Sequence, residues 1–214
     1  DVAAEPTADA VFLGIHGDRH LWARRVEVVA GTVGDLRTDG DRLDSNALSM
    51  VTSALAILNW HASAQFSSLD GAPSVPSSAG WSRTSTSTGH EEFPRTDPAV
   101  ICLVHDGGDR VLLARAPAWP ERRFSVLAGF VEAGESLETC VTREIREEVG
   151  LDVSAIEYLG SQPWPFPRSV MIGFSAGADP EQPLHFQDGE IAEAHWFDRA
   201  EVVAALELGD WGSD

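Results

Sequence analysis

Apolar residues recur at helical spacing in two segments of the chain, 137–149 and 46–66. The apolar stripe of the first segment consists of Leu137, Val141, Ile145 and Val149. Ser136 precedes this segment as a potential cap, and Gly150 follows it at the position where a left-handed residue commonly ends a helix. The pattern therefore predicts one helix from about 137 to 149 and another over 46–66.

Shorter apolar runs bounded by turn residues predict strands. In the N-terminal part these runs lie at 10–15, 21–23 and 26–29. In the C-terminal part they lie at 99–104, 111–114, 124–127, 170–174 and 194–197, and a helix is predicted to begin near Asp198. Residues 67–92 lose this periodicity and are rich in Ser, Thr, Gly and Pro, which is typical of a linker or a small turn-rich module.

Two glutamates of the predicted helix 137–149 fall within its apolar arc. They are Glu144 and Glu148, and Glu147 lies at the margin of the same arc. Like charges four residues apart repel, and an unpaired buried charge costs about several kcal/mol, so cations would explain the placement. Clustered carboxylate oxygens suit Mg²⁺ or Mn²⁺. The alternative is a solvated helix in which arginines neutralise the glutamates.

Residues 129–151 fit the pattern G-x5-E-x7-R-E-U-x-E-E-x-G-U, in which U is a bulky aliphatic residue. The fixed positions are Gly129, Glu135, Arg143, Glu144, Ile145, Glu147, Glu148, Gly150 and Leu151. The chain thus resembles the Nudix hydrolases, which cleave nucleoside diphosphates linked to another group with the help of divalent metals. The resemblance implies an α+β Nudix fold, a mixed sheet between helices, preceded by an N-terminal α/β domain.

The resemblance also implies roles for individual residues. Glu144, Glu147 and Glu148 would be catalytic, and Arg143 would orient them. The implied metal ligands are the backbone carbonyl of Ala128 and the carboxylates of Glu144, Glu147, Glu148 and Glu190. A non-catalytic nucleotide sensor is the alternative from another class of protein, but a degenerate box would mark it and this box is intact.

A second motif, residues 161–169, is similar to the SQPWPFPxS array of the NADH pyrophosphatase branch of the family. Its alternating prolines predict a stiff extended loop that holds Trp164 and Phe166 for stacking on flat rings. The implied substrate-binding residues are Phe130, Gln162, Pro163, Trp164, Pro165, Phe166, Pro167, Arg168 and Ser169. One alternative is that the loop packs its aromatic side chains into the hydrophobic core of the same protein. A ligand for a proline-recognition module is another, disfavoured because P-x-x-P spacing is absent.

In this branch, water attacks the pyrophosphate of NADH and releases reduced nicotinamide mononucleotide and AMP. NAD⁺ and the NAD cap on RNA 5′ ends are related substrates, and the resemblance implies a homodimer. ADP-ribose or diadenosine polyphosphates are the alternative substrates within the family, and the array at 161–169 speaks against them.

The turn-rich module departs from the family pattern. Relatives commonly carry two C-x-x-C zinc knuckles before an F-P-R-x-D-P segment, which is present here at 93–98. The knuckle positions hold Ser67, Asp70, Ser85 and Thr88, and hydroxyls with one carboxylate cannot replace four thiolates. We therefore expect no structural zinc.

The sequence predicts three domains. They are an N-terminal domain at 1–66, a degenerate zinc-ribbon-like module at 67–96, and a Nudix domain at 97–214 that is predicted to be truncated at its C-terminus.

Composition narrows the class of protein further. The chain has 15 basic against 34 acidic residues, a formal net charge of −19, and every basic residue is Arg. The absence of lysine excludes a lysine nucleophile. The acidic balance argues against a surface built for a long nucleic-acid backbone, although bound metals would still attract a pyrophosphate locally.

Four further side chains have simpler interpretations. Cys102 and Cys140 lie in apolar settings and are predicted to be buried, reduced thiols. His61 and His105 are isolated, so we expect ordinary core or surface histidines. No apolar run of 18 residues and no secretory leader are visible, which predicts a cytoplasmic protein without a membrane partner.

Overall fold

The computed structural model describes residues 6–29, 31–187 and 189–208, which form two compact units. The first unit comprises Asp1–Thr96 and Pro163–Ser169, and the second comprises Asp97–Gln162 and Val170–Asp214. The C-terminal tail at 209–214, where the sequence predicts a truncated end, lies outside the described residues.

The first unit begins with an antiparallel hairpin of β1 (Val11–His16) and β2 (Arg19–Ala23). The strand predicted at 26–29 is wrong, because these residues lie outside any strand. Val28 is 85% exposed, so the apolar run has no core to pack against. Helix α1 (Leu36–Asp39) and a 3-10 turn at Gly40–Arg42 follow.

Helix α2 (Ser45–Ser63) supplies most of the core of this unit. Asp44 caps it by accepting hydrogen bonds from the amides of Asn46 and Ala47, and Ile57 and Trp60 pack with Val11 of β1. The sequence predicted that this helix would reach residue 66. It ends three residues earlier because the chain turns after Ser63, and the exposed Phe66 instead forms a bridge with Pro73.

The turn-rich module is an antiparallel sheet of β3 (Ser74–Ser77), β4 (Ser82–Ser85) and β5 (Glu91–Glu92). Near it, the four former knuckle positions come together. Asp70 accepts hydrogen bonds from Thr88 Oγ1 at 2.6 Å and Ser85 Oγ at 2.8 Å, and from the amide of Ala72. These hydrogen bonds lower the pKa of Asp70 to about 2, and the bond from Thr88 contributes most. Ser67 is buried and accepts from the amide of Leu69.

Both histidines singled out in the sequence have ordinary protein partners. His61 Nε2 lies 2.7 Å from the carbonyl of Gly80, and its Nδ1 lies 3.0 Å from a guanidinium nitrogen of Arg83. Burial lowers the pKa of His61, so the ring is neutral at pH 7 and its Nδ1 accepts from Arg83. His105 Nδ1 accepts from the amide of Gly107 within a turn.

The second unit contains the principal sheet. Its elements are β6 (Asp97–His105), β7 (Arg110–Arg115), β8 (Leu127–Phe130), α3 (Leu137–Val149), β9 (Val153–Trp164), β10 (Ser169–Ala178), β11 (Glu193–Asp198) and α4 (Arg199–Glu207). The strand order is β11-β7-β6-β10-β9, and β8 pairs with β6. The predicted mixed sheet flanked by helices is confirmed. The end of β9, the first residue of β10 and the turn between them form the segment Pro163–Ser169, which belongs to the first unit.

The core of the second unit lies between this sheet and α3. Val141, Ile145 and Val149 of α3 are each at most 1% exposed and pack in one cluster with residues of β6, β7 and β10. Cys102 and Cys140 belong to the same cluster as free thiols, and burial raises the pKa of each to about 12. The predicted buried, reduced thiols are confirmed. Within the described parts of the chain, no helix combines the length and apolar character needed to cross a membrane.

The sequence did not predict β9. This 12-residue strand is the last in the sheet order, and it alternates only weakly because most of its side chains are exposed. An edge strand with so little burial lacks the apolar pattern by which strands are found.

The cluster around Asp70 generates a stability prediction. Asp70→Asn keeps the side-chain volume but removes the negative charge and one of the two acceptor oxygens, so we expect a lower melting temperature at neutral pH. Asp18→Asn, at an exposed site, should have no effect. The pKa of Asp70 is depressed from 3.8 to about 2, so its contribution is complete above the unfolded-state value and is lost as the pH falls toward 2.

The difference in melting temperature between the wild type and Asp70→Asn should therefore shrink between about pH 4 and about pH 2. EDTA should leave the wild-type melting temperature unchanged, because the cluster is held by hydrogen bonds. A difference that is constant over this pH range, or a large loss of stability in EDTA, would contradict the interpretation.

Candidate active site

Helix α3 positions the glutamates of the box. Ser136 caps the helix by accepting from the amide of Thr139 at 3.2 Å, and Gly150 ends it in the left-handed conformation with φ 77°. The helix spans Leu137–Val149, so the prediction of this element is confirmed. Gly150 is also packed closely, since a Cβ there would lie 2.9 Å from Cβ of His185.

The three glutamates differ in burial as their helical positions predict. Glu148 is 6% exposed, the side chain of Glu144 is 15% exposed, and that of Glu147 is 55% exposed. The alternative of a fully solvated salt-bridge helix is therefore wrong for two of the three carboxylates. A carboxylate that remains charged at such a position requires hydrogen bonds or cations around it.

Glu144 rests directly on the backbone of β8. A Cβ added to Gly129 would lie 1.9 Å from Cδ of Glu144 and 2.1–2.2 Å from its carboxylate oxygens. Gly129 pairs with Val100 in the β6–β8 ladder, so its backbone cannot move away from the helix without breaking the sheet. The glycine of the box therefore provides the space in which the carboxylate of Glu144 lies.

Arg143 lies among the acidic side chains. Its guanidinium holds Glu135 through two hydrogen bonds of 2.8 Å, contacts Glu144 at 2.9 Å and Glu147 at 3.0 Å, and donates to the carbonyl of Phe130 at 3.0 Å. The bond to Arg143 is the main reason that the pKa of Glu135 falls to about 2. The carboxylates raise the pKa of Arg143, with Glu135 foremost. Arg143 thus fixes the relative positions of three glutamates.

The electrostatics distinguish Glu144 from Glu135. Burial raises the pKa of Glu144, Arg143 opposes the rise, and the negative charges of Glu147 and Glu190 add to it. Glu190 therefore lies near enough to Glu144 to repel it. A group of carboxylates whose charges repel each other in a partly buried site is the kind of environment that a cation stabilises.

Glu193, three residues after Glu190 in the sequence, is engaged by two protein side chains. Glu193 on β11 forms a short ion pair with Arg115 of β7, and its other oxygen lies 3.1 Å from His195 Nε2. The bonds to Arg115 and His195 lower the pKa of Glu193. This carboxylate is thus already neutralised by protein groups. The position of Arg115 opposite Glu193 had no signal in the sequence.

The predicted ligands are of the type that hard divalent cations prefer. Glu144, Glu148 and Glu190 carry carboxylate oxygens, and Ala128 adjoins Gly129 on the strand against which Glu144 rests. Among the side chains that the structure describes, no three His, Cys, Asp or Glu already form a compact ligand cluster. Glu147 also contacts Arg143, and it is the most exposed of the three glutamates of the box.

The predicted substrate-binding residues divide between the two units. Phe130 is 62% exposed at the end of β8, and Gln162 is exposed on β9 in the second unit. The others belong to the first unit: Pro163 and Trp164 end β9, residues 165–168 form a turn, and Ser169 is buried at the start of β10. The prediction of an extended loop is wrong, because the sheet continues to Trp164 and the chain then reverses.

Within this turn the two aromatic rings contact each other. The ring centroids of Trp164 and Phe166 are 5.1 Å apart, and the rings are inclined at 75°. The amide of Phe166 donates to the carbonyl of Trp164 at 2.8 Å, which tightens the turn. Trp164 remains 37% exposed, so part of the aromatic surface of the pair is accessible to solvent.

Comparisons with known proteins agree with these features. The NUDIX domain family matches residues 95–213. The NAD-capped RNA hydrolase NudC of Mycobacterium bovis (strain BCG / Pasteur 1173P2) is 59% identical over 221 residues, which cover all of this chain and 71% of that protein. The mitochondrial NAD(P)H pyrophosphatase NUDT13 of Homo sapiens is 39% identical over 178 residues, covering 82% of this chain and 50% of that protein.

A solved structure supports the fold. The crystal structure of a NUDIX hydrolase from Nitrosomonas europaea matches with a TM-score of 0.54 and 22% identity over 64% of this chain and 79% of that chain. At this identity the likeness concerns the fold alone. Since the domain match covers more than half of the sequence and the box is complete, the chain belongs to the Nudix family.

Proposed function

We propose that this protein hydrolyses the pyrophosphate of NADH and NAD⁺, releasing AMP and nicotinamide mononucleotide in the corresponding redox state, and that it also removes the NAD cap from RNA 5′ ends. The observation that carries the proposal is the set of carboxylates on α3, with Glu148 buried and Glu144 resting on Gly129. The substrate is supported by the names of the NudC and NUDT13 relatives and by the aromatic turn at 163–168.

The proposed cofactor is Mg²⁺ or Mn²⁺, held by the carboxylates of Glu144, Glu148 and Glu190 and the carbonyl of Ala128, with Glu147 as a further ligand or a base. Such an ion, when bound, neutralises charge on the phosphate oxygens and lowers the pKa of an attacking water. Arg143 orients the glutamates, as its contacts with Glu135, Glu144 and Glu147 support. The proposed assembly is a homodimer, which rests on the family resemblance.

The acidic surface restricts how RNA is held. With a net charge of −19, the chain offers few places for electrostatic contact with a long phosphate backbone. The proposal is therefore that the enzyme recognises the capped nucleotide itself, chiefly through the aromatic turn and the ion-binding carboxylates.

Product analysis tests the reaction. The chain is incubated with NADH and either Mg²⁺ or Mn²⁺, and chromatography should show AMP and reduced nicotinamide mononucleotide in equal amounts. Free nicotinamide would instead indicate cleavage of the glycosidic bond. A higher catalytic efficiency on ADP-ribose or diadenosine polyphosphates than on NADH would assign the enzyme to another specificity within the family.

Substitution of single carboxylates tests the roles. Glu148→Gln keeps volume but removes a charged oxygen, so turnover of NADH should fall by about 100-fold or more while the fold persists. Glu190→Gln should also reduce turnover strongly. Glu193→Gln, the matched control, should reduce it less because Arg115 and His195 already engage Glu193. If Glu193→Gln proved the more damaging of the two, the assignment of Glu190 as ligand would be wrong.

Gly129→Ala tests the placement of Glu144. The three atoms nearest to the added Cβ all belong to the flexible end of Glu144, so the protein should fold while the carboxylate is displaced. A displacement of about 1 Å can cost about 100-fold in rate, and we expect turnover to fall by about 10- to 100-fold. Mn²⁺ affinity, measured by electron paramagnetic resonance, should fall as well.

Gly177→Ala is the control for this substitution, because a Cβ there meets its nearest neighbour at an ordinary 3.7 Å. Wild-type Mn²⁺ affinity and turnover in Gly129→Ala would show that Glu144 does not need its observed position.

A further inference from the structure

The aromatic turn, residues 163–168, is tied to α2 by one side chain. Asn59 donates its amide nitrogen to the carbonyls of Pro165 and Pro167, both at 3.1 Å. Its amide oxygen accepts from a guanidinium nitrogen of Arg25 at 3.2 Å, which fixes the orientation of the amide. Prolines have no backbone N–H, so their carbonyls are the groups through which this part of the turn can be held.

A second side chain covers the aromatic pair. The guanidinium carbon of Arg37 lies 4.2 Å from the ring centroid of Phe166 and 5.9 Å from that of Trp164, within the range of a cation–π contact. Asp35 caps α1 and accepts from the amide of Arg37 at 2.7 Å, which sets the backbone from which Arg37 extends. One face of Phe166 is therefore occupied by a cation from the first unit.

The surroundings of Phe166 are open. A cavity of about 520 Å³ adjoins the turn and is lined by residues 34–37, by Leu55 and Asn59 of α2, and by residues 165–167. A ring beside such a space is not held by close packing on every side. Its orientation therefore depends on the contact with Arg37 and on the backbone held by Asn59.

We propose that Arg37 and Asn59 are positioning residues for substrate recognition, which hold Trp164 and Phe166 in the orientation that receives a flat ring of the dinucleotide. The inference rests on the proposed function and extends it, because neither residue belongs to the box or to the proline-aromatic array. Arg37 acts on the ring of Phe166 and Asn59 acts on the backbone of the turn. If both act in this way, part of the substrate specificity is determined by residues of the N-terminal region.

The test is the steady-state hydrolysis of NADH by the full chain with Mn²⁺. Arg37→Ala should raise KM by about 2- to 30-fold, the range that a cation–π contact supports. Asn59→Ala removes the two hydrogen bonds to the turn, together with the one from Arg25, and should raise KM by about 10-fold. In both variants kcat should stay within about twofold of wild type. The lost interaction stabilises the bound substrate and the transition state equally, so its removal weakens binding without slowing the bound complex. Arg37→Lys should restore KM in part, since it keeps the charge but not the planar group.

Arg42→Ala is the matched control. Arg42 lies five residues from Arg37 and makes an exposed ion pair with Asp39 at 2.8 Å, so its removal changes the net charge equally. It should leave both KM and kcat unchanged. Melting temperatures of all variants establish that they fold. If Arg37→Ala does not fold, Arg37→Gln, with an uncharged planar end group, replaces it under the same criteria.

Three results would overturn the inference while NADH is still cleaved by the wild type. They are a KM for both Arg37→Ala and Asn59→Ala within twofold of wild type, an equal rise of KM in Arg42→Ala, or a loss confined to kcat. A wild-type chain that does not cleave NADH would instead refute the proposed function, and the inference with it.

Discussion

The carboxylates of Glu144 and Glu148 lie on the core side of α3, and this placement governs the local structure of the second unit. A charged group at such a position loses hydration, and the loss must be offset by packing elsewhere and by partners nearby. Val141, Ile145 and Val149 supply the packing, because each is almost fully buried against the sheet. The same helix thus carries both the apolar side chains that anchor it to the sheet and the carboxylates of the candidate site.

Two features of the box hold the carboxylate of Glu144 in place. Gly129 leaves room for Glu144 against β8, and the β6–β8 ladder keeps that strand in place. Arg143 bridges Glu135 and Glu147 and also contacts Glu144. Its guanidinium group therefore sets the spacing of three carboxylates. Glu193, three residues after Glu190, is engaged from two sides, by Arg115 and by His195.

The sequence predicted the features that depend on local periodicity. Helix 137–149, its two ends and the graded burial of Glu144, Glu147 and Glu148 all follow from the spacing of residues within one element. The strand at 26–29 was wrong because β-branched residues there are exposed, and β9 was missed because an edge strand shows little alternation. The prediction of an extended loop is wrong at 165–168, because the restricted φ of proline does not determine where a hairpin reverses.

Contacts between distant residues had no signal in one sequence. The approach of Glu144 to Gly129, the pair of Arg115 with Glu193 and the stacking of Arg37 on Phe166 each join residues from different elements. A motif specifies which residues recur at a spacing, whereas these contacts depend on how the elements pack. For this reason the residues of the box could be named from sequence, but the side chains that hold the aromatic turn could not.

The cluster around Asp70 shows how a small sheet can be held by oxygen atoms where thiolates would bind zinc. Short strands β3, β4 and β5 bury few apolar side chains, so the loops that join them need polar contacts to order them. One ionised carboxylate can accept several hydrogen bonds at once, and Asp70 receives them from both former knuckles. One carboxylate therefore links the two loops, and protonation or substitution of Asp70 should weaken that link.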